Sequence, residues 1–367
     1  MLKIKKQLSK LYWSSILGNL SLSGAWVAIL AARGYSLVEI GIAETVFHIT
    51  SLMFELPSGA LADMFGRKKC LIASSIMHMI GNVIMILSTS LSMVCLSIAF
   101  QALCYNFSSG SGEALAYDSL KLSKQTSEFE RYISNQLMIY RICSGISTLC
   151  AGFALILGYK IAYGVDLIVI AIQIMILLTL QEVTLDCLEQ TKARNKDSLH
   201  AEFIRYVKDS FQFVIKEKKV MIFMFANSFV GAIDILLLFF LQAKLPECGI
   251  PAWGVGPALF FMELGGLVGA KLILKLPKIR YHKIFFLTSL LVISGVFIEH
   301  SGIYLGMMIG GFIAAMGDDA LQVRTNAILQ DMFPSDKRAT LTSIESFTFS
   351  VIMIVLSPLA GIVFTYW

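Results

Sequence analysis

The first candidates for chemistry are nine ionisable side chains that lie inside long apolar segments of the chain. They are Glu44, His48, Glu113, Arg141, Asp234, Glu263, Asp318, Asp319 and Arg324. A charge at the centre of a bilayer costs roughly 2.5–3.5 kcal/mol, so such residues are usually functional. A carboxylic acid held away from water can take up and release a proton near neutral pH. The set predicts proton exchange inside a membrane; the alternative is that the acids pair with Arg141 or Arg324 and hold helices together.

The other reactive side chains lack the spacing of a catalytic or metal site. The five histidines fall in separate segments, without the short spacing of metal ligands. The seven cysteines include no C-x-x-C pair, and we interpret them as small buried side chains. There is no phosphate-binding loop of the P-loop type. We therefore expect no enzyme activity, no metal and no other cofactor.

Composition indicates an all-α protein that crosses a membrane several times. The chain is 56% hydrophobic and 15% charged, with a mean hydropathy of +0.73. A soluble domain usually carries about a quarter charged residues. The net charge of +5 comes from cations in loops, so nothing favours nucleic-acid binding. Each crossing of the bilayer needs about 20 apolar residues.

Apolar periodicity predicts eleven membrane spans separated by short loops. Most of the lysines and arginines fall in alternate loops, beginning with the basic N-terminus. Because cytoplasmic loops are rich in these residues, we expect a multi-pass plasma-membrane protein with a cytoplasmic N-terminus. The spans are 11–32, 38–60, 70–89, 91–119, 133–157, 160–181, 220–243, 252–274, 283–300, 302–331 and 338–365.

One charged stretch, residues 59–71, carries a recognisable motif. We expect 59–69 to form a tight loop between two spans, because glycine and alanine let helix ends approach closely. The stretch resembles the hallmark loop between helices 2 and 3 of the major facilitator superfamily of transporters, G-x-L-A-D-x-x-G-R-K-x-x-L. Met64 departs from it, where the family often has a cation. The matching positions are Gly59, Leu61, Ala62, Asp63, Gly66, Arg67, Lys68 and Leu71.

The resemblance implies two pseudo-symmetric helix bundles. We expect an N-terminal six-helix bundle at 1–182 and a C-terminal bundle of five helices at 220–367. A cytoplasmic linker with an amphipathic surface helix should join them at 183–219. Because the family typically has twelve helices, the last one is expected to be missing; we favour truncation, and a miscounted pair of spans or a genuine eleven-helix variant are the alternatives. Weak matches between the halves, at an offset of 206 to 208 residues, agree with such a repeat.

The resemblance also implies which residues do the work. Helices 1, 4, 7 and 10 of the family line a central cavity. Asp318 and Asp319 lie about 100° apart on one helix, so they should face different neighbours. Asp118 ends span 4, where it could reach Arg67, and the resemblance implies a gate there; the alternative is that Arg67 and the two lysines after it only fix topology. The expected substrate or proton-coupling residues are Asn19, Glu113, Asp234, Asp318, Asp319 and Arg324, and the expected gating residues are Gly59, Asp63, Gly66, Arg67 and Asp118.

Taken together, these features predict a secondary active transporter that works by alternating access as a monomer in the bilayer. The expected activity is proton-coupled efflux of amphipathic small molecules. Span 5 lacks the proline of the G-P-x-x-G-G-like run that drug–proton antiporters usually carry, reading Gly145 to Gly152 without one. Uptake of a nutrient by proton symport or facilitated diffusion is therefore an alternative. A membrane receptor that binds without transporting is a third, from another functional class.

Overall fold

The computed structural model describes residues 3–183, 216–276, 280–332 and 338–366. Within these ranges the chain forms helices and no β-strand, which confirms the predicted all-α membrane fold. A helix satisfies its own backbone hydrogen bonds, as the bilayer interior requires. The helices are α1 Ile4–Asn19, α2 Trp26–Ala32, α3 Leu37–Phe65, α4 Arg67–Leu87, α5 Leu91–Ser108, α6 Ser111–Leu122, α7 Phe129–Leu149, α8 Ala151–Leu157, α9 Tyr159–Leu178, α10 Lys218–Glu247, α11 Ala252–Lys275, α12 Tyr281–Glu299, α13 Tyr304–Met332 and α14 Arg338–Tyr366.

Helices occupy the positions of the predicted spans, but the count of eleven is not confirmed. Eight helical stretches in the described residues are long and apolar enough to cross a membrane, or nine if the bent pair α7 and α8 is one span. The first predicted span is broken into α1 and α2, so neither piece is long enough alone. The tenth, α13, contains four charged residues and is not among the eight.

The predicted loop at 59–69 is wrong in its extent. Helix α3 continues to Phe65 and α4 begins at Arg67, so Gly66 is the single residue between them. Its φ of +102° lies in a region that residues with a β-carbon rarely adopt. The flanking alanine, leucine and lysine residues are good helix formers, so the backbone departs from helix only at this glycine.

The chain divides into two compact units, of which the first comprises Met1–Ile29 and Ile42–Arg194. In this unit α1 packs against α6, α7 and α9, while α4 packs against α5 and α9. Leu11, Tyr132 and Leu177 meet in its buried apolar core, where they join α1, α7 and α9. Helix α1 therefore has close neighbours along its length.

The second unit comprises Leu30–Gly41 and Asn195–Trp367. Helix α13 packs against both α11 and α12, and α10 packs against α13 and α14. Glycines permit these close approaches: a β-carbon at Gly265 or Gly269 of α11 would overlap a carbonyl oxygen of α13. Small residues at helix contacts are typical of membrane proteins, where backbones pack closely.

The outer surfaces of the helices are rich in large apolar side chains. On α12, for example, Phe286 and Phe297 are both 70% exposed. Apolar surface of this extent is typical of contact with lipid rather than with water. The exposed faces therefore support the assignment of these helices to the membrane.

The predicted linker falls largely outside the described residues. Of the linker predicted at 183–219 with its amphipathic helix, residues 184–215 are not described. The predicted bundle boundaries at 182 and 220 therefore stay predictions.

Candidate functional site

The first residues of α4, Arg67 and Lys68, are hydrogen-bonded to α6 and to the last residue of α9. The Arg67 guanidinium donates hydrogen bonds to the Asp118 carboxylate and, over 2.8 Å, to the carbonyl oxygen of Ala114. Asp118 is 7% exposed and lies on α6. The structure thus brings together Gly66, Arg67 and Asp118 from the expected gating residues, and ties the start of α4 to α6.

Glu182, which the sequence reasoning missed, caps the start of α4. Its carboxylate accepts hydrogen bonds from the backbone N–H groups of Arg67 at 3.1 Å and Lys68 at 3.0 Å. A carboxylate is favoured at this position, because the first N–H groups of a helix lack partners and carry partial positive charge. A β-carbon on Gly66 would come within 2.6 Å of the Glu182 carboxylate, so the glycine makes room for the cap. In the sequence, the only hint of this role is that Glu182 is an acid directly after the predicted span 160–181.

The other two expected gating residues, Gly59 and Asp63, lie in the last turns of α3. Their side chains fall outside the described residues, as do the side chains of 338–343 at the start of α14. The predicted gating roles of Gly59 and Asp63 therefore stay predictions.

In the second unit, two acids are buried between α10 and α13. Asp234 is 5% exposed and Asp318 is 3% exposed, and the two interact electrostatically. The Gln322 side-chain amide donates to Asp318 Oδ2 over 2.8 Å, one turn further along α13. A β-carbon on Gly231 of α10 would lie 3.5 Å from Asp318 Oδ1, so this carboxylate packs on the glycine. The Oδ1 atoms of Asp234 and Asp318 have no hydrogen-bond partner in the described part of the chain.

Asp319 and Arg324 contact α11, although Asp319 still interacts electrostatically with Asp234 and Asp318. The Asp319 carboxylate lies against Gly266 of α11, so neighbouring acids of α13 face different helices. Arg324 donates from Nη2 to the carbonyl oxygen of Ile273 over 3.2 Å. Within the described ranges, neither Arg324 nor Arg141 forms an ion pair with an acid. The structure therefore does not support the alternative in which these arginines neutralise the buried acids.

A further acid that the sequence reasoning missed, Glu345, lies on α14. Its Oε1 accepts a hydrogen bond from the Asn227 side-chain amide of α10 over 3.1 Å. Asn227, Gly231 and Asp234 follow each other at spacings of four and three residues, which places them on one face of α10. This face presents a polar strip to α13 and α14. In the sequence, Glu345 could have been found as a charged residue close to the start of the predicted span 338–365.

The expected residues of the first unit are more dispersed. Asn19 is the last residue of α1, and its amide donates to the carbonyl oxygen of Ser15 over 2.7 Å. Glu113 is exposed in the first turn of α6. On α3, Glu44 and His48 form a buried pair at 3.1 Å. The structure does not bring Asn19, Glu113 and this pair into one cluster.

Comparison with known proteins places the chain in a family. A family model described as Major Facilitator Superfamily matches residues 10–298. The chain belongs to the major facilitator superfamily. It is 22% identical over 331 residues to the uncharacterised MFS-type transporter YxaM of Bacillus subtilis (strain 168), over 88% of this chain and 80% of YxaM. It is 27% identical over 245 residues to the inner membrane transport protein YajR of Escherichia coli (strain K12), over 65% of this chain and 50% of YajR.

Solved structures of the superfamily share the fold. The nucleoside transporter NupG matches with a TM-score of 0.68 and 14% identity, over 100% of this chain and 92% of NupG. A D-xylose-proton symporter matches with a TM-score of 0.66 and 12% identity, over 96% of this chain and 87% of that one. Identities this low show the fold alone. Membership of this family makes the chain a membrane transporter of a small molecule rather than an enzyme.

Proposed function

We propose that this transporter exports amphipathic cations across the plasma membrane in exchange for protons. The observation that supports this most directly is the pair of buried acids Asp234 and Asp318, each with one oxygen that has no hydrogen-bond partner among the described residues. An ionised carboxylate in a low dielectric is stabilised either by binding a proton or by a cation beside it.

Competition between the two ligands explains exchange. If a proton and the positive group of a substrate occupy the same acids, binding of one releases the other. A proton gradient directed inwards then drives the cation outwards, provided that the two acids are accessible from one side of the membrane and then from the other. Gln322 would hold Asp318 in place in both states, because an amide can donate to a carboxylate or to the carbonyl oxygen of the protonated acid.

The charge balance favours a cationic substrate over a neutral one. Asp234, Asp318 and Glu345 belong to the polar strip around α10, and Arg324, the nearest arginine on α13, donates to the backbone instead of to these acids. We further propose that the anchored start of α4 acts as a cytoplasmic gate, and that the protein works as a monomer with its N-terminus in the cytoplasm.

A proteoliposome assay tests the proposal. Purified protein is reconstituted, a pH gradient is imposed, and the flux of the cationic dye ethidium is followed by fluorescence. Asp234→Asn or Asp318→Asn should lower gradient-driven flux by roughly tenfold or more, because about 1.4 kcal/mol of lost stabilisation already costs that factor. Glu247→Gln is the matched control, because this acid is exposed and pairs with Lys244 at the end of α10.

The alternatives give different results in the same assay. Gradient-driven flux that is untouched in both aspartate variants contradicts the assignment of proton coupling. Dye uptake in the same direction as the protons indicates symport, and flux that does not respond to the gradient indicates facilitated diffusion. Dye binding without flux in the unaltered protein indicates a receptor on the transporter fold.

A further inference from the structure

The first membrane span is interrupted near its middle. Helix α1 ends at Asn19, Leu20 is extended with ψ of 121°, and α2 begins at Trp26. Non-helical backbone at membrane depth is tolerated only where protein or water satisfies its polar groups. The break at 20–25 therefore requires partners, and the structure shows where they come from.

A single buried carboxylate, that of Asp166 on α9, supplies most of them. Asp166 is 2% exposed. Its Oδ1 accepts from the backbone N–H of Leu22 over 2.8 Å. Its Oδ2 accepts from the Ser21 hydroxyl at 2.9 Å, the Ser23 backbone N–H at 3.0 Å and the Ser23 hydroxyl at 2.6 Å. Four donors thus converge on one side chain.

A second helix completes the support of the break. The Ser147 hydroxyl of α7 accepts from the Ser21 backbone N–H over 3.0 Å and donates to the Asn19 carbonyl oxygen over 3.3 Å. In this way α7 and α9 together hold both ends of the non-helical segment. The position of Asn19, an expected cavity residue, follows from that support.

The Asp166 carboxylate is held by hydrogen bonds rather than by an ion pair. Among the described residues no cation pairs with it, and His78 of α4 is the titratable side chain within electrostatic range. Asparagine would be a poor replacement, because it has one acceptor oxygen and directs an NH2 group at the donors.

The break also lies close to the point where the chain changes unit. The first unit includes residues up to Ile29, and the second begins at Leu30, within α2. Helix α1 packs on α9 of the first unit. The non-helical segment therefore lies between α1, which belongs to the first unit, and a short helix whose last residues, from Leu30 on, belong to the second.

We propose that Asp166 is a positioning residue for transport, whose carboxylate holds a hinge in the first membrane span. The hinge lets α2 change its angle to α1 while α1 stays packed on α9. Asp166 keeps the hinge residues satisfied and ordered, so that bending occurs without exposing free backbone groups to lipid. It touches no substrate, and its role is to set the position of the break.

A cysteine reporter in the break tests this proposal without any substrate. Gly24 is exposed, and a β-carbon there meets only ordinary contacts, at 3.7 Å from the Ser21 carbonyl oxygen and 3.8 Å from Ser147. Gly24→Cys is placed in a variant without the seven native cysteines, and its alkylation by N-ethylmaleimide is timed in proteoliposomes. Gly112→Cys on α6 is the control reporter, because the nearest atom to its β-carbon is 3.9 Å away.

Asp166→Asn should speed alkylation at position 24 by roughly tenfold, because several hydrogen bonds are lost at once. The alkylation rate at position 112 should change by less than about twofold. Asp166→Glu, which keeps the charge and both acceptor oxygens, should bring the rate at position 24 back close to that of the variant that retains Asp166. An unchanged rate at 24, or an equal rise at both positions, overturns the proposal. If Asp166→Asn does not fold, Ser21→Ala combined with Ser23→Ala removes two donors and should still raise the rate at 24 alone; no rise there overturns the proposal as well.

Discussion

At the scale of single residues, the start of α4 is anchored by several long-range hydrogen bonds. The Arg67 side chain donates to Asp118 of α6, and its backbone N–H donates to Glu182, which lies four residues after the end of α9. Lys68 adds a bond from its ammonium to the Leu178 carbonyl oxygen over 2.8 Å. One short segment thus connects three helices, so a change there can be transmitted to all of them.

The first prediction concerns Asp118. Asp118→Asn keeps the shape of the side chain and removes its charge, so the partly buried Arg67 loses its ionic partner. If the contact belongs to a gate, ethidium turnover in proteoliposomes should fall by roughly tenfold, about 1.4 kcal/mol in the barrier. The KM for the dye should change by less than about twofold, because an interaction that acts on the conformational step leaves binding intact.

The matched control for that experiment is Glu128→Gln. Glu128 and Arg131 form an exposed pair at 3.8 Å, and exposed pairs of this kind contribute little. Turnover in this variant should equal that of the unaltered protein. A loss of turnover matched by an equal loss of affinity in Asp118→Asn would argue against a gate.

At the scale of helices, the second unit depends on how closely α13 approaches its neighbours. Gly265 and Gly269 of α11 face the carbonyl oxygens of Phe312 and Met316, and Gly295 of α12 faces that of Gly310. Close packing of this kind fixes the rotation of α13 about its axis. That rotation in turn decides which of its acids faces α10 and which faces α11.

The second prediction follows from this packing. Gly265→Ala puts a methyl group into the Phe312 carbonyl oxygen, so the helices must separate, and overpacking typically costs about 1–3 kcal/mol. We expect a lower midpoint of thermal unfolding in detergent, measured by circular dichroism. Gly164→Ala on α9 is the control, because nothing lies within 4 Å of its β-carbon. Alanine there should be neutral or stabilising, since it favours helix by about 1 kcal/mol over glycine. Equal midpoints for the two variants would show that the α11–α13 contact tolerates separation.

At the scale of the whole molecule, the distribution of cations determines the expected orientation in the membrane. The last turn of α6 carries Lys121 and the loop after it carries Lys124, whereas residues 248–251 between α10 and α11 contain no lysine or arginine. By the rule that cytoplasmic loops are rich in lysine and arginine, these loops face opposite sides. The fold leaves this expectation untested, because a helical bundle has the same internal contacts in either orientation.

The third prediction tests that orientation. Cys248 lies directly after α10, in the loop expected to be outside, and Ser127 is exposed in the loop expected to be cytoplasmic. A membrane-impermeant maleimide added to intact cells should label a variant that keeps Cys248 alone. It should label Ser127→Cys, without other cysteines, only after the membrane is permeabilised. The opposite pattern would invert the topology.

The amino-acid sequence by itself determined the class and the family of this protein. Apolar segments of membrane length require helices, because the bilayer offers backbone groups no other partner. The motif around Gly66 lies within thirteen consecutive residues, so no packing is needed to recognise it. The helical positions and the importance of Arg67 followed from such local patterns.

Only the tertiary structure decided which polar residues are hydrogen-bonded to each other. Glu182 reaches Arg67 across 115 residues, and Asp166 reaches Ser23 across 143. Neither contact has a local pattern, because each depends on how α9 packs against other helices. The break in the first span was also missed, because Ser21, Ser23 and Gly24 weaken a helix only locally and the hydropathy of the whole segment remains that of a span. Hydropathy and periodicity specify which segments cross the membrane, whereas the rotation and contact of the helices specify which acids are satisfied and which are left to bind a ligand.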